Sequence, residues 1–310
     1  MSVDFCGLAL AHPIINGSGT FDALAAQRAF GASLRREFPF AAYVSKTITL
    51  APRAGNPPPR LWEAAGGLIN SIGLPNKGLH GYLAEDLPVL AELLGAAGGG
   101  EAGPAAGAGV PLITNVMGSS AGELAELVGV CEERPEIAAL ELNVSCPNVK
   151  TGLDIGADPA QLEEVVRAVR PLTSKPLIVK LTPNTADVAL CAAAAETAGA
   201  DAVSLINTLR ATALDPRRPR GSREPWLGGR TGGLSGPAVR AVALAQVGAV
   251  AARVSIPVVG MGGVQSARHA RDLLDCGATL VAVGTESFRD PAAGSRIAHD
   301  LLGGDSNLGI

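Results

Sequence analysis

The alternation of short apolar runs with Ala- and Leu-rich stretches is the feature that most constrains the fold of this 310-residue chain. Apolar runs rich in β-branched residues, each followed by a helical or turn-rich segment, indicate repeated βα units around a parallel sheet. The pattern predicts an α/β protein, a (β/α)8 TIM barrel in one domain over residues 1–310. The predicted strands are Pro13–Asn16, Ala41–Lys46, Pro111–Asn115, Ala138–Asn143, Pro176–Lys180, Ala202–Ile206, Pro257–Gly260 and Leu280–Gly284.

Polar residues, glycine among them, recur at the carboxyl ends of these predicted strands. They are Asn16, Lys46, Asn115, Asn143, Lys180, Asn207, Gly262 and Thr285. Periodicity alone also allows a doubly wound open sheet. A barrel brings every strand end to one mouth, where barrel enzymes have their active sites, and we therefore favour the barrel.

Three segments interrupt the alternation. Thr47–Leu90, which contains Pro57-Pro-Pro, is predicted to be an insertion that covers the barrel mouth. Leu209–Gly233 is rich in charge and proline and is predicted to be a long polar loop, of the kind that forms lids or partner surfaces. Gly95–Gly109 has a Gly/Ala-rich composition typical of a surface insertion, and we assign it no function.

Charge and cysteine content exclude several classes of protein. The net charge is −4 and Lys and Arg are scattered, so neither nucleic acid nor an anionic membrane is an expected partner. No signal peptide or bilayer-spanning run is apparent, and we expect a cytoplasmic protein. The five cysteines lack a CxxC pair, which argues against a disulfide framework or an iron–sulfur cluster in this chain, and no metal site is predicted. Four of them, Cys6, Cys131, Cys191 and Cys276, are interpreted as small buried hydrophobes in helices or strands.

The fifth cysteine lies in a different setting, the segment Glu141-Leu-Asn-Val-Ser-Cys-Pro-Asn148 at the end of an apolar strand. Asn143, Ser145, Cys146 and Asn148 bring two amides, a hydroxyl and a thiol into a short stretch. These groups suit hydrogen bonding to a planar heterocycle and the movement of one proton. Core packing requires little of this polarity, so the segment is a candidate active site.

Glycine-rich turns follow the last two predicted strands, in Val258–Val264 and Val281–Glu286. Barrels commonly bind phosphate at this position through backbone N–H groups. Gly262, Gly263 and Gly284 are also compatible with ordinary tight turns, but two such turns at adjacent strand ends favour phosphate binding. Gly236 adds another helix start nearby.

Two lysines and a pair of asparagines complete the candidate site. Lys46 and Lys180 each end an apolar strand, where an ammonium group needs an anion such as a substrate carboxylate or a cofactor ring that becomes negative on reduction. Exposed lysines at strand ends are the alternative. Asn70–Asn76 carries amides that match the edge of a pyrimidine ring, although Asn and Gly also make ordinary turns.

In combination, these motifs resemble the class 1 dihydroorotate dehydrogenases, flavoproteins of pyrimidine biosynthesis, from Ser18-Gly19 to Gly284-Thr285. The resemblance implies non-covalent FMN and oxidation of (S)-dihydroorotate to orotate, in which Cys146 removes the C5 proton while hydride passes from C6 to flavin N5. It implies that substrate is bound by Lys46, Asn70, Ser71, Ile72, Gly73, Leu74, Asn143, Asn207 and Thr208. It implies that FMN is bound by Ser18, Lys46, Thr47, Asn115, Asn143, Lys180, Ile206, Gly236, Gly262, Gly263, Gly284 and Thr285, with Lys180 near the part of the ring that becomes anionic.

Within class 1, Cys146–Gly152 and Thr231–Pro237 resemble the 1B form. That form passes electrons to NAD through a separate subunit that carries FAD and an iron–sulfur cluster. We expect a homodimer, or a heterotetramer with such a subunit. The alternatives are a fumarate-dependent 1A enzyme, a flavin-dependent reductase of another pyrimidine, and a non-enzymatic barrel scaffold, which would leave Cys146 without a role.

Overall fold

The computed structural model describes residues 2–95, 109–145 and 155–303. The strands in these ranges are β1 (Val3–Phe5), β2 (Leu8–Leu10), β3 (Ile14–Asn16), β4 (Tyr43–Val44), β5 (Leu61–Ala64), β6 (Gly67–Asn70), β7 (Leu112–Val116), β8 (Ala139–Asn143), β9 (Leu177–Lys180), β10 (Ala202–Leu205), β11 (Leu209–Ala211), β12 (Gly232–Ser235), β13 (Val258–Met261) and β14 (Leu280–Val283). The α-helices are α1 (Ala23–Phe30), α2 (Ala32–Arg36), α3 (Gly78–Gly81), α4 (Leu87–Leu94), α5 (Ala121–Glu132), α6 (Pro159–Val169), α7 (Val188–Thr197), α8 (Arg240–Ala251), α9 (Ala267–Asp275) and α10 (Ala293–Gly303). A π-helical turn, Tyr82–Asp86, joins α3 to α4, and short 3-10 helices span Ile155–Ala157, Arg170–Leu172, Pro237–Val239 and Thr285–Phe288.

Eight parallel strands form the central sheet, in the order β3-β14-β13-β10-β9-β8-β7-β4. Helices lie between successive strands along the chain, and the predicted (β/α)8 barrel is confirmed. Each predicted barrel strand has a counterpart in the structure. The shortest is β4, where only Tyr43–Val44 of the predicted Ala41–Lys46 pairs as a strand.

The core has two layers because side chains alternate along each strand. Inward-facing residues such as Ile113, Ala139 and Ile178 fill the barrel. Outward-facing residues such as Leu140 and Val179 pack against the surrounding helices. Several of these helices begin at an Asp or Ser whose side chain accepts hydrogen bonds from the first turn, namely Asp22, Ser120, Asp158, Asp187 and Ser266.

The seam between β3 and β4, the two ends of the sheet order, is closed largely by a side chain. Asn16 Nδ2 donates to the Val44 carbonyl oxygen at 2.8 Å, and Asn16 Oδ1 accepts from the Val44 N–H at 2.8 Å. Ala41 N–H donates to the Ile14 carbonyl oxygen at 3.0 Å. Asn16 was predicted to be one of the polar residues of the barrel mouth, but its amide is fully buried and occupied in this seam.

An amino-terminal hairpin closes the opposite end of the barrel. β1 pairs with β2, and the fully buried Phe5 packs against the inward-facing residues. Cys6, in the turn between the two strands, donates from Sγ to the Asp201 carbonyl oxygen just before β10. The prediction that Cys6 is buried in a strand or helix was therefore wrong. Cys276 is also only partly buried, at the end of α9, whereas Cys131 and Cys191 are buried as predicted.

A four-stranded antiparallel sheet, in the order β11-β12-β6-β5, joins the two mouth insertions. Leu209–Gly233 was predicted to be a loop, but its two ends are the paired strands β11 and the start of β12. The other insertion is shorter than predicted, because the helical run from Gly78 to Leu94 packs its leucines into the barrel core. Most of the Gly/Ala-rich segment, residues 96–108, lies outside the described residues. Across the described ranges, no helix has the length and apolar character needed to cross a membrane.

Candidate active site

A cavity of about 410 Å³ lies at the carboxyl ends of β13 and β14, with Gly236, Gly263 and Thr285 in its lining. Gly236 and Gly263 have φ angles of 86° and 69°, in the left-handed region that favours glycine. A Cβ on Gly263 would lie 3.0 Å from the Gly236 carbonyl oxygen. The two backbones therefore approach each other closely at the wall of the cavity, and we call this close approach of Gly236 and Gly263 the cradle. Gly262 and Gly284 adjoin this cradle in sequence but do not line the cavity.

The charged residues Glu286 and Arg289 line the same cavity, and Arg296 lies beside Glu286. The buried Glu286 accepts from Gln265 Nε2 at 2.8 Å and lies 3.3 Å and 3.5 Å from guanidinium nitrogens of Arg289 and Arg296. The two arginines offset the negative charge of Glu286 beside the cradle. These residues were not predicted, because an Arg or Glu in a helix gives no sequence signal of its partner.

The inner face of β7, β8 and β10 carries a buried polar triad. Asn115 Nδ2 donates to Glu141 Oε2 at 2.5 Å, and Ser204 Oγ donates to Glu141 Oε1 at 2.7 Å. All three side chains are buried. Sequence reasoning predicted Asn115 but missed Glu141 and Ser204. The available signal was a carboxylate within an otherwise apolar strand, at an inward-facing position two residues before Asn143.

Two groups on the inner face, one within this triad and one beside it, lack partners among the described residues. Asn115 Oδ1 is buried and accepts no hydrogen bond. Lys180 lies next to Asn143 on one side and Ser204 on the other in strand register. Its side chain is 6% exposed, and its ammonium group has no hydrogen bond or ion pair in the described ranges. An acceptor and a cation are therefore available on the inner face of the barrel.

Asn143, Asn207 and Ser145 form a second polar group at the ends of β8 and β10. Asn207 Nδ2 donates to Ser145 Oγ at 2.9 Å and lies 3.4 Å from Asn143 Oδ1, which also accepts from the Ser145 N–H. These contacts fix the residue that precedes Cys146. Cys146 itself, with Asn148, lies outside the described residues.

The ends of β3, β4 and β10 bring further predicted residues together. Ser18 Oγ donates to the Ser45 carbonyl oxygen at 2.8 Å and lies 3.4 Å from Thr47 Oγ1. Thr47 is buried, whereas Lys46, which directly precedes it, is exposed. Ile206 is buried, and its N–H donates to the Met261 carbonyl oxygen, which links the end of β10 to β13.

The segment Asn70–Leu74 reaches the mouth through the antiparallel sheet. Asn70 lies opposite Gly233 in register and donates from Nδ2 to the Gly233 carbonyl oxygen. Thr208 packs so closely on Gly233 that an added Cβ would lie 1.9 Å from Thr208 Oγ1. The sheet thus brings Asn70 close to Thr208.

The rest of this segment is held by its own contacts. Ser71 is buried and donates to the Thr231 carbonyl oxygen, and the Ile72 carbonyl oxygen accepts from Asn56. Gly73 and Leu74 have positive φ angles, so this part of the segment is a turn. Asn76 has a structural role, because its amide bonds to Thr49, Leu74 and Gly78.

Fold and site together define a (β/α)8 barrel with a glycine-lined cavity after its last two strands and a polar mouth, an arrangement typical of barrel enzymes. The family model described as dihydroorotate dehydrogenase matches residues 1–303. Relatives named dihydroorotate dehydrogenase B (NAD(+)), catalytic subunit, include those of Pelobacter propionicus, 44% identical over 97% of this chain and 92% of the relative, and Desulforudis audaxviator, 43% identical over 97% and 91%. The chain belongs to the dihydroorotate dehydrogenase family, which confirms the resemblance noted in the sequence.

Proposed function

We propose that this chain oxidises (S)-dihydroorotate to orotate in pyrimidine biosynthesis, as an FMN-dependent catalytic subunit whose electrons pass to NAD through a partner subunit. Family membership supports the reaction, and the names of the relatives support the NAD-linked form. The structural observation that carries the proposal is the pair of unsatisfied groups on the inner face of the barrel, Asn115 Oδ1 and the Lys180 ammonium. A flavin ring offers an N–H to the first and oxygen and nitrogen acceptors to the second.

The residues present fit FMN at both of its ends. Gly236, Gly263 and Thr285 would hold the phosphate in the cradle, where glycine is required by close approach and by positive φ. Asn115 and Lys180 would hold the ring, and a fixed cation favours a ring that becomes negative on reduction. FMN, when bound, supplies the two-electron acceptor for the reaction.

The remaining chemistry belongs to side chains of this chain. Asn143 Oδ1 is held by Ser145 and Asn207. Its Nδ2, which has no acceptor among the described residues, would donate to a substrate oxygen. The same contacts position Ser145 directly before Cys146, the base that we propose for the C5 proton. Lys46, Asn70 to Leu74, Asn207 and Thr208 are proposed to bind substrate, and the antiparallel sheet that carries Asn70 would limit the access of water to them.

An anaerobic reduction experiment tests the reaction. Purified protein should be yellow, and dihydroorotate should bleach it without oxygen. Cys146→Ala should retain FMN and bind orotate but reduce the flavin at least a hundredfold more slowly, because general base catalysis contributes roughly 10² to 10⁴ in rate. Cys276→Ala, which removes a partly buried thiol away from the mouth, is the matched control and should react at the normal rate. Colourless protein that FMN cannot reconstitute would refute the proposal.

A trial of acceptors tests the NAD-linked form. The chain alone should reduce NAD poorly, and a co-purifying FAD and iron–sulfur protein should restore the rate. Efficient turnover with fumarate would instead favour the 1A form. The homodimer or heterotetramer and the cytoplasmic location expected from the sequence remain predictions, to be checked by the mass of the purified complex and by fractionation.

A further inference from the structure

Glu141 makes contacts that no role proposed above requires. It occupies the centre of the buried triad, where each carboxylate oxygen accepts one hydrogen bond, from Asn115 Nδ2 and from Ser204 Oγ. A buried carboxylate is costly unless its oxygens are satisfied, and leucine or methionine would fill the same space without that cost. Stability therefore gives no reason for a carboxylate at this position.

The chemistry of the two partners fixes which way the Asn115 amide faces. A carboxylate offers only acceptors, so the NH₂ group of Asn115 must face Glu141 and its Oδ1 must face the opposite direction. In that direction Oδ1 is buried and accepts no hydrogen bond from any described residue. Without Glu141, the amide could rotate by half a turn and present NH₂ to the ligand.

The same arrangement leaves Lys180 available. Lys180 adjoins Ser204 in strand register, and it is the nearest cation along the sheet to Glu141. Asn115 and Ser204 each bond one carboxylate oxygen of Glu141, and the Lys180 ammonium makes no ion pair with that carboxylate. The Asn115 Oδ1 acceptor and the Lys180 ammonium are therefore both available to the proposed ligand.

We propose that Glu141 is a positioning residue that holds the Asn115 amide so that Oδ1 accepts the N3–H group of the flavin ring. The assignment rests on the proposed binding of FMN. N3 is the atom concerned because the oxidised isoalloxazine ring has a single N–H group. Asn115 thereby selects a flavin with a free N3–H, and Ser204 completes the support of Glu141 without touching the ligand.

The test measures dissociation constants of FMN and of 3-methyl-FMN for apoprotein by quenching of flavin fluorescence. Wild-type protein should bind FMN about tenfold or more tightly than 3-methyl-FMN, since one buried hydrogen bond is at stake. Glu141→Met should weaken the binding of FMN about tenfold but that of 3-methyl-FMN much less. The ratio of the two dissociation constants should therefore move towards one. Ser204→Ala keeps the Asn115 contact of Glu141 and should preserve the ratio.

The outcomes separate this inference from the proposed function. If wild-type protein binds neither flavin, the proposed function fails. If wild-type protein binds both flavins equally, or if Glu141→Met weakens both equally, FMN binding stands and the role of Glu141 is refuted. Circular dichroism establishes that each variant is folded. If Glu141→Met does not fold, the ratio of the two dissociation constants for wild-type protein still decides whether Asn115 Oδ1 faces the N3–H group.

Discussion

Asparagine has two distinct uses at the carboxyl ends of the barrel strands. Asn16 bonds to both main-chain groups of Val44 and leaves nothing for a ligand. Asn115 and Asn143 each keep one end of the amide without a partner in the part of the chain that the structure describes. Sequence position is the same in all three cases, so only the partners supplied by neighbouring strands distinguish a seam residue from a ligand residue.

Replacing Asn16 with Ala should destabilise the protein by about 2 to 4 kcal/mol, because two buried main-chain groups of Val44 lose their partners. Urea unfolding followed by circular dichroism measures the change. The FMN affinity of the folded fraction should stay close to that of wild type. A loss of stability below about 1 kcal/mol would show that the seam does not depend on this side chain.

Among the structural elements, the antiparallel sheet above the mouth differs most from the sequence prediction. Its strands come from two segments more than a hundred residues apart, and each is too short and too polar to be predicted from periodicity. Charged side chains secure its outer part. Arg217 donates three hydrogen bonds to Asp215, two from its guanidinium and one from its backbone N–H, which lower the pKa of that carboxyl to about 2. Its guanidinium lies over Trp226.

Gly233→Ala tests how this sheet positions the substrate residues. The added methyl group would overlap Thr208 Oγ1, so Thr208 or β12 must shift. We expect the KM for dihydroorotate to rise about tenfold, because small misplacements of binding groups are costly. Gly129→Ala, on α5 where no atom lies within 4 Å of the new Cβ, is the control and should leave KM unchanged.

The stability of the protein in acid depends in part on Glu132, the last residue of α5. Burial disfavours the charge of Glu132, but hydrogen bonds from Thr173 and Ser174 outweigh it and lower the pKa to about 2. A depressed carboxyl pKa stabilises the fold above the ordinary value of 4.5 and loses that contribution as pH falls towards 2. The stability advantage of wild type over Glu132→Gln should therefore shrink across this pH range in urea titrations. An advantage that is independent of pH would contradict this explanation.

At the scale of the whole molecule, the two ends of the barrel do different work. The hairpin β1–β2 closes the amino end with apolar side chains, and the polar groups gather at the carboxyl end. This division is usual in such barrels, where the bottom serves stability and the top serves chemistry.

Phe5→Ala tests this separation. Truncating a fully buried phenylalanine should cost about 3 to 5 kcal/mol of unfolding free energy while the FMN dissociation constant changes little. Leu61→Ala, which shortens a half-exposed side chain, should cost under about 1 kcal/mol. A large change in FMN affinity in folded Phe5→Ala protein would show that the two ends are coupled.

The barrel and the family could be predicted from the sequence, because apolar periodicity marks the strands and the motifs stand at their ends. The supporting contacts could not. Glu141 contacts Ser204 across β9, and Gly233 contacts Thr208 through the pairing of β11 with β12, so these pairs depend on how strands are ordered and staggered. Lys46 and Lys180 look alike in sequence, yet one is exposed and the other buried, since only Lys180 lies within a strand of the barrel wall.

The pairing of β6 with β12 has a consequence for access to the mouth. Three residue pairs join these strands, and the turn before β6 is tied by the Gly66 carbonyl oxygen to Ala238 at the start of the cradle. Neither insertion can swing aside alone without breaking this ladder. Any displacement of one insertion that opens the mouth must therefore displace the other insertion as well.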